Sequence, residues 1–313
     1  MFSTRAAVAA SVLLLIAACA GPGATTRPSV GPTAPPASSP TVAPPTAAAT
    51  VCGSLTGAEA DLLATICERG KIVISTDADY APQSSVTPTG DYEGFDIDVG
   101  EEIASRLGVE AEWSAQIWDT VIAGSWSGRW DMSVGSITVC CDRDQLFDFT
   151  QPYYSTPAQI AVLESSDFAS IDDLAGETAC VGEDTTYLYW VEGSLELAAP
   201  NRIVREAPEG MVAHTLETDA NCAEAMRVGQ TEVGQVFVTA DPVIEQAIGA
   251  ETPIVRLGDP IFYEALSVAF DKSGPERAAL LAEVDTIIAE MHADGTMTEL
   301  SEKWYGLDYS TAL

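Results

Sequence analysis

The sequence predicts an α/β protein whose chain builds two successive lobes. Short apolar runs alternate with amphipathic stretches in the order β-α-β-α-β from Lys71 to Thr138, which implies a mostly parallel sheet with helices on both faces. The alternation begins again after Tyr154 and continues to about Tyr263. The last segment, from Leu266, holds one strand and two helices, too little for a lobe of its own, and returns to the first. A chain of 313 residues accommodates about two domains, each with its own core.

The first residues belong to neither lobe. Arg5 precedes the apolar run Ala6–Ala18, which is too short for a membrane span and reads as a secretory signal, residues 1–18. The run ends in Ile16-Ala17-Ala18-Cys19, which resembles a bacterial lipoprotein cleavage box. It implies a mature chain that starts at lipidated Cys19 and is held to the membrane surface through acyl chains. An ordinary signal with an incidental cysteine is the alternative. Residues Ala20–Thr50 are rich in Pro, Ala, Thr, Ser and Gly without apolar periodicity, a composition that forms a tether and no core. The globular part starts near Cys52.

Lys71–Thr76 is an apolar strand that delivers Asp77, Asp79, Tyr80, Ala81 and Pro82 to a loop. Phe95, Val99, Ile103 and Leu107 recur every four residues along one helix face, which stops at Gly108. Val109–Trp113 is the next strand, and Asp119–Trp126 reads as a helix with Val121, Ile122 and Trp126 inward. Trp130–Ser155 begins as a strand, passes the small residues Gly135, Ser136 and Thr138, and reaches Arg143. It leaves through Pro152-Tyr153-Tyr154, a stiff aromatic exit. In the second lobe, strands are expected at Gln159–Leu163, Thr178–Val181, Ile203–Arg205 and Val236–Val238. Ser170-Ile171-Asp172-Asp173 has the form of a capping box, and helices are expected through Val191, at Asn221–Val228 and at Pro242–Ile248. Strand Leu266–Phe270 and helices Pro275–Asp294 and Thr296–Trp304 complete the chain.

Fourteen basic against 47 acidic residues give a net charge of −33. Phosphate binding needs a basic face, so nucleic acid is excluded as a partner class. The carboxylates are scattered without metal-ligand spacing and read as a solvated surface. Setting Cys19 aside leaves six cysteines: Cys52, Cys67, Cys140, Cys141, Cys180 and Cys222. An even number outside the cytoplasm suggests disulfides, although six cysteines allow about 15 connectivities. Cys52–Cys67 would bracket one helix, a closure worth about 3 kcal/mol, and Cys180–Cys222 would pin a strand to a helix. No CxxC pair occurs, and the only histidines are His214 and His292, so no metal or other cofactor is expected.

Several motifs occur in a fixed order: DADYAP at Asp77–Pro82, YEGFDIDV at Tyr92–Val99, Gly135–Phe149, Pro152-Tyr153-Tyr154, and HADGT at His292–Thr296. Together they resemble the amino-acid-binding family of periplasmic-type solute-binding proteins, the receptors of ABC importers (family 3), over roughly residues 67–306. The resemblance implies a periplasmic-binding-protein-like clamp: two α/β lobes joined by two crossover strands, here near Tyr154–Thr156 and Phe262–Ala265. Lobe 1 would take residues 52–155 and 264–313, and lobe 2 residues 156–263. Ligand would bind between the lobes, and closure would be a hinge motion.

Residue by residue, the resemblance aligns Arg143 with the arginine that grips a ligand α-carboxylate, for which a planar guanidinium is suited. Flanked by Asp142 and Asp144, Arg143 could equally be a paired surface residue, and its register with Asp148-Phe149 decides for the site. Gly135, Ser136 and Thr138 align with backbone and hydroxyl contacts to the ligand. Thr185 and Thr186 align with the second-lobe carboxylate contact, or are simple N-caps. Asp184 stands where the family usually has glycine. Asp241 is the candidate α-ammonium partner, or merely caps its helix. Tyr80 and Trp118 would sandwich the ligand side chain, with Trp118 as ordinary core the alternative. Asp77 would accept from a cationic or amide side chain, which an acidic, aromatic-walled pocket favours. Gln83 replaces the usual aromatic after Ala-Pro. Cys140-Cys141 replaces Thr-Pro and suggests a vicinal disulfide in place of proline, against two reduced or differently paired cysteines.

The resulting expectation is an extracytoplasmic, lipid-anchored, monomeric receptor that delivers an amino acid to an ABC permease. A ligand sensor for a membrane kinase and a dehydratase on the same fold are the competing classes. No Ser-His-Asp order appears, and the protein is expected not to be an enzyme.

Overall fold

A computed structural model describes residues 50–55 and 61–311. Residues 1–49, which include the expected secretory signal, Cys19 and nearly all of the expected tether, lie outside the described residues. Asp61 caps helix α1 (Leu62–Arg69), which leads into strand β1 (Lys71–Asp77). A small hairpin sheet, Asp79–Tyr80, Ser84–Val86 and Tyr92–Glu93, precedes helix α2 (Phe95–Leu107). Gly94 makes that junction possible: its φ is 139°, and a Cβ there would lie 2.1 Å from the Gln83 carbonyl oxygen. Strand β2 (Glu110–Gln116), helix α3 (Trp118–Ile122) and strand β3 (Met132–Thr138) follow. Helix α3 is shorter than the sequence suggests, because Gly124, Ser125, Ser127 and Gly128 all adopt positive φ and break the turn that Trp126 was expected to join.

One turn of helix, Arg143–Leu146, introduces the 17-residue strand β4 (Phe147–Leu163). The second lobe then adds β5 (Thr178–Gly182), α4 (Thr186–Val191), β6 (Val212–Leu216), α5 (Asp219–Arg227), β7 (Val236–Ala240) and α6 (Asp241–Gly249). Strand β8 (Phe262–Asp271) returns, and helices α7 (Ala278–Asp294) and α8 (Thr296–Tyr305) finish the fold. The capping box at Ser170–Asp173 is present and starts a 3-10 turn. Residues 203–205 contribute little strand: only Arg202–Ile203 pairs, with β8. Strand β6, which the sequence reading passed over, flanks β5 in parallel.

The principal sheet runs β6-β5-β7-β4-β8-β3-β1-β2. Within each half the strands are parallel: β1 with β2 and β3, and β5 with β6 and β7. The parallel pairing expected of β1, β2 and β3 is present, and the centre of the sheet is antiparallel, where β4 and β8 pair with each other and with their neighbours. The cause is topological. Strand β4 carries the chain into the second half and β8 carries it back, so the two crossovers pair head to tail, with Glu264 opposite Thr156 and Leu266 opposite Tyr154.

Two large apolar cores lie on either side of these crossovers. One joins Leu62, Ile74, Phe95, Tyr153 and Tyr154 to Leu266, Val284 and Met291. The other runs from Ala158 through Trp190 and Phe237 to Phe262. Each lobe is stapled internally: Cys52–Cys67 holds the start of the first, and Cys180–Cys222 ties β5 to α5 in the second.

Candidate functional site

A cleft between the lobes gathers nine of the ten residues expected to meet a ligand. From the first lobe, β1 ends at Asp77, the hairpin supplies Tyr80, α3 begins with Trp118, and β3 contributes Gly135, Ser136 and Thr138. Arg143 enters from the turn after β3, and its backbone N–H closes that turn onto the Cys140 carbonyl (2.8 Å). From the second lobe come Thr185 and Thr186 at the start of α4.

Arg143 is 5% exposed, and its guanidinium donates to the Thr138 carbonyl (3.3 Å) and across the cleft to the Asp184 carbonyl (2.7 Å). It lies over the Trp118 ring at 5.2 Å, and Trp118 Nε1 donates to the same Asp184 carbonyl (3.2 Å). Asp184 adopts φ 53°, the left-handed region that glycine occupies without cost, and this turns its carbonyl toward the first lobe. Among the described residues Arg143 forms no ion pair. Burial pushes its basicity down, while Tyr189, Glu264 and Asp184 act in the opposite sense.

Glu264 on β8 and Asp219 at the start of α5 also line the cleft, and sequence reasoning missed both. Glu264 is 2% exposed; its Oε2 accepts from the Thr138 hydroxyl (2.6 Å) and the Thr186 hydroxyl (2.9 Å), and its Oε1 from Tyr187 (2.8 Å). Burial raises its pKa, opposed chiefly by these hydroxyl bonds. Asp219 accepts from the Gly182 N–H (2.9 Å) and the Thr239 hydroxyl (2.7 Å), and burial pushes it up to about 7. Asp77 is raised to about 6, again by burial first, with Asp79 and Glu217 adding like-charge repulsion.

The hydroxyls are less free than their alignment suggested. Ser136 has φ 55°, and its hydroxyl turns into the first lobe, donating to Asp96 (2.8 Å) and meeting Tyr154 (2.6 Å). Tyr153 donates to the other Asp96 oxygen (2.7 Å), and burial raises Asp96 to about 7. Thr185 caps α4, accepting from Leu188 N–H (3.2 Å) and donating to the Gly182 carbonyl.

Asp241 requires a correction. It does not line this cleft: it pairs with Arg256 (2.6 Å) and accepts from Tyr309 (3.2 Å) on another face. It opens α6 just ahead of Pro242, the position of a helix-starting acid. Gln83 does not shape the cleft either, being wholly buried beside the Gly94 turn. The structure joins Cys140 to Cys141, next to the Arg143 turn, with Cys141 and Asp142 both at positive φ.

A fold of two α/β lobes on paired crossovers, with a buried cation and buried acids lining the cleft, defines a two-lobed ligand-binding clamp. Comparison with known proteins agrees. Residues 72–307 match the model of bacterial extracellular solute-binding proteins, family 3, and the chain belongs to that family. It is 28% identical over 253 residues to the L-cystine-binding protein TcyJ of Escherichia coli (strain K12), covering 80% of this chain and 88% of that one. It is 26% identical to the L-arginine-binding protein of Pseudomonas aeruginosa, covering 79% and 92%. Among solved structures, an ancestral amino acid-binding protein described as a precursor of cyclohexadienyl dehydratase superposes with a TM-score of 0.66 at 28% identity, covering 78% of this chain and 99% of that one.

Proposed function

We propose that this protein captures an α-amino acid with a cationic side chain outside the cytoplasm and delivers it to the permease of an ABC importer. The observation that carries the reading is a buried guanidinium that forms no ion pair among the described residues, in a cleft that also holds Asp77 and Asp219. Arg143 receives the ligand carboxylate through parallel N–H donors. Tyr80 and Trp118 face the side chain, and Asp77 with Asp219 meet its cation. Gly135 to Thr138 and the Thr185-Thr186 turn form the surrounding walls. The names of relatives that bind arginine and cystine support an amino-acid ligand.

Closing the clamp brings Arg143 and Trp118 to the Asp184 carbonyl, and Tyr80 to Tyr187 (3.3 Å), so both lobes share the contacts that a ligand would reinforce. Attachment through lipidated Cys19, with residues 20–50 as tether, keeps the receptor at the membrane surface as a monomer. Among the described residues no helix is long and apolar enough to cross a membrane.

Thermal unfolding with each of the twenty amino acids tests this reading, since a ligand bound only by the native state raises the melting temperature. Arginine and lysine are expected to give the largest shifts and to be recovered chemically unchanged. Stabilisation by none of them, or conversion of any of them to product, contradicts it.

A further inference from the structure

Arg143 and Glu264 both hang on Thr138. The Thr138 carbonyl accepts from Arg143 (3.3 Å), and the Thr138 hydroxyl donates to Glu264 (2.6 Å). The two side chains nonetheless form no ion pair. A guanidinium and a carboxylate held side by side but apart match the two charges of an α-amino acid, which branch from a single carbon.

Glu264 also has acceptor capacity left. A carboxylate offers about four lone-pair positions, and Glu264 uses three, for Thr138, Thr186 and Tyr187. Asp219 is the competing acid, but it is tied to Gly182 and Thr239 within the second lobe, and among the cleft carboxylates Glu264 has the stronger pull on Arg143. We infer that Glu264 is the specificity-determining acceptor for the ligand's α-amino group, a role that rests on the function proposed above. Its position explains why the group would matter for closure. Glu264 lies on one crossover strand, opposite Thr156 on the other, and takes hydrogen bonds from Thr138 of the first lobe and Thr186 and Tyr187 of the second. An ammonium seated there touches both lobes and the hinge at once.

The test compares each amino acid with an analogue lacking only its α-amino group: L-arginine with 5-guanidinopentanoic acid, and L-lysine with 6-aminohexanoic acid. Each is titrated calorimetrically into the full-length wild type, Glu264→Gln and Asp219→Asn. Wild type is expected to prefer each amino acid by roughly thirtyfold or more, the loss typical of unpairing a buried charge. Glu264→Gln is expected to compress that preference below about threefold, whereas Asp219→Asn weakens all four probes and keeps it. A preference that survives Glu264→Gln, or disappears in Asp219→Asn instead, overturns the assignment. If wild type binds none of the probes, the proposed function fails and the inference with it; binding with an unaltered preference defeats Glu264 alone. Should the glutamine variant not fold, Glu264→Asp withdraws the carboxylate by one methylene and is expected to shrink the preference about fivefold or more. An unchanged ratio there overturns the assignment equally.

Discussion

Replacing Arg143 with methionine separates binding from folding. The side chain is 5% exposed and satisfied by two carbonyls, each charge-assisted bond contributing about 1.5–3 kcal/mol. Against this stands the cost of burying a cation without a counter-ion, several kcal/mol after relaxation. The two nearly cancel, so the ligand-free variant is expected to melt within about 5 °C of wild type, at roughly 2–4 °C per kcal/mol for a chain of this size. Binding does not cancel. Losing a desolvated guanidinium–carboxylate pair costs about 2–5 kcal/mol, which is roughly thirtyfold to several-thousandfold in affinity. Calorimetric titration with arginine, alongside unfolding without ligand, reads both quantities. Affinity retained within about threefold refutes the carboxylate role. A melting temperature lowered by more than about 15 °C shows instead that Arg143 is mainly a brace between the lobes.

Three further outcomes follow from the same contacts. Asp77 and Asp219 are raised to about 6 and 7, so each is neutral more often when folded than when unfolded. Their contribution to ligand-free stability is full below about pH 4 and is lost as pH rises through 6 to 7, while affinity for a cationic side chain rises over that upper window. Titration of arginine between pH 5 and pH 8 checks the sign, and affinity that is flat or falls contradicts it. Replacing Cys180 and Cys222 with alanine opens a closure spanning 42 residues, worth about 4 kcal/mol, and is expected to lower the melting temperature by about 8–16 °C. Asp241→Asn is expected to leave arginine affinity within about twofold of wild type; a tenfold loss would return Asp241 to the site.

Much of this architecture was legible because hydrophobic periodicity and glycine punctuation act locally. The helix Phe95–Leu107 announces itself through its four-residue repeat and Gly108, and the DADYAP and Arg143 segments fix the first-lobe wall of the cleft. What local pattern omits is pairing. The antiparallel centre arises because β4 and β8 meet across about 100 residues of intervening chain, and no single segment encodes that. Glu264 hides in the same way. Its one signal is an acid inside the otherwise uncharged run Phe262–Phe270, lost among 47 acidic residues. Asp219 resembles any helix-starting acid, as Asp241 does, and only burial and partners distinguish them. Ser136 lines the cleft, but its positive φ, which turns the hydroxyl to Asp96, depends on the Tyr153 and Tyr154 hydroxyls of the crossover.

In the proposed reading, one cleft binds an α-carboxylate with Arg143 and a cationic side chain with Asp77 and Asp219. Competitive titration at pH 7.5 with arginine, glutamine and glutamate tests it most directly. Saturable binding of one arginine per chain is expected, with weaker binding of glutamine and exclusion of glutamate by the buried acids. Glutamate binding as tightly as arginine, or no saturable site for any of the three, would contradict it.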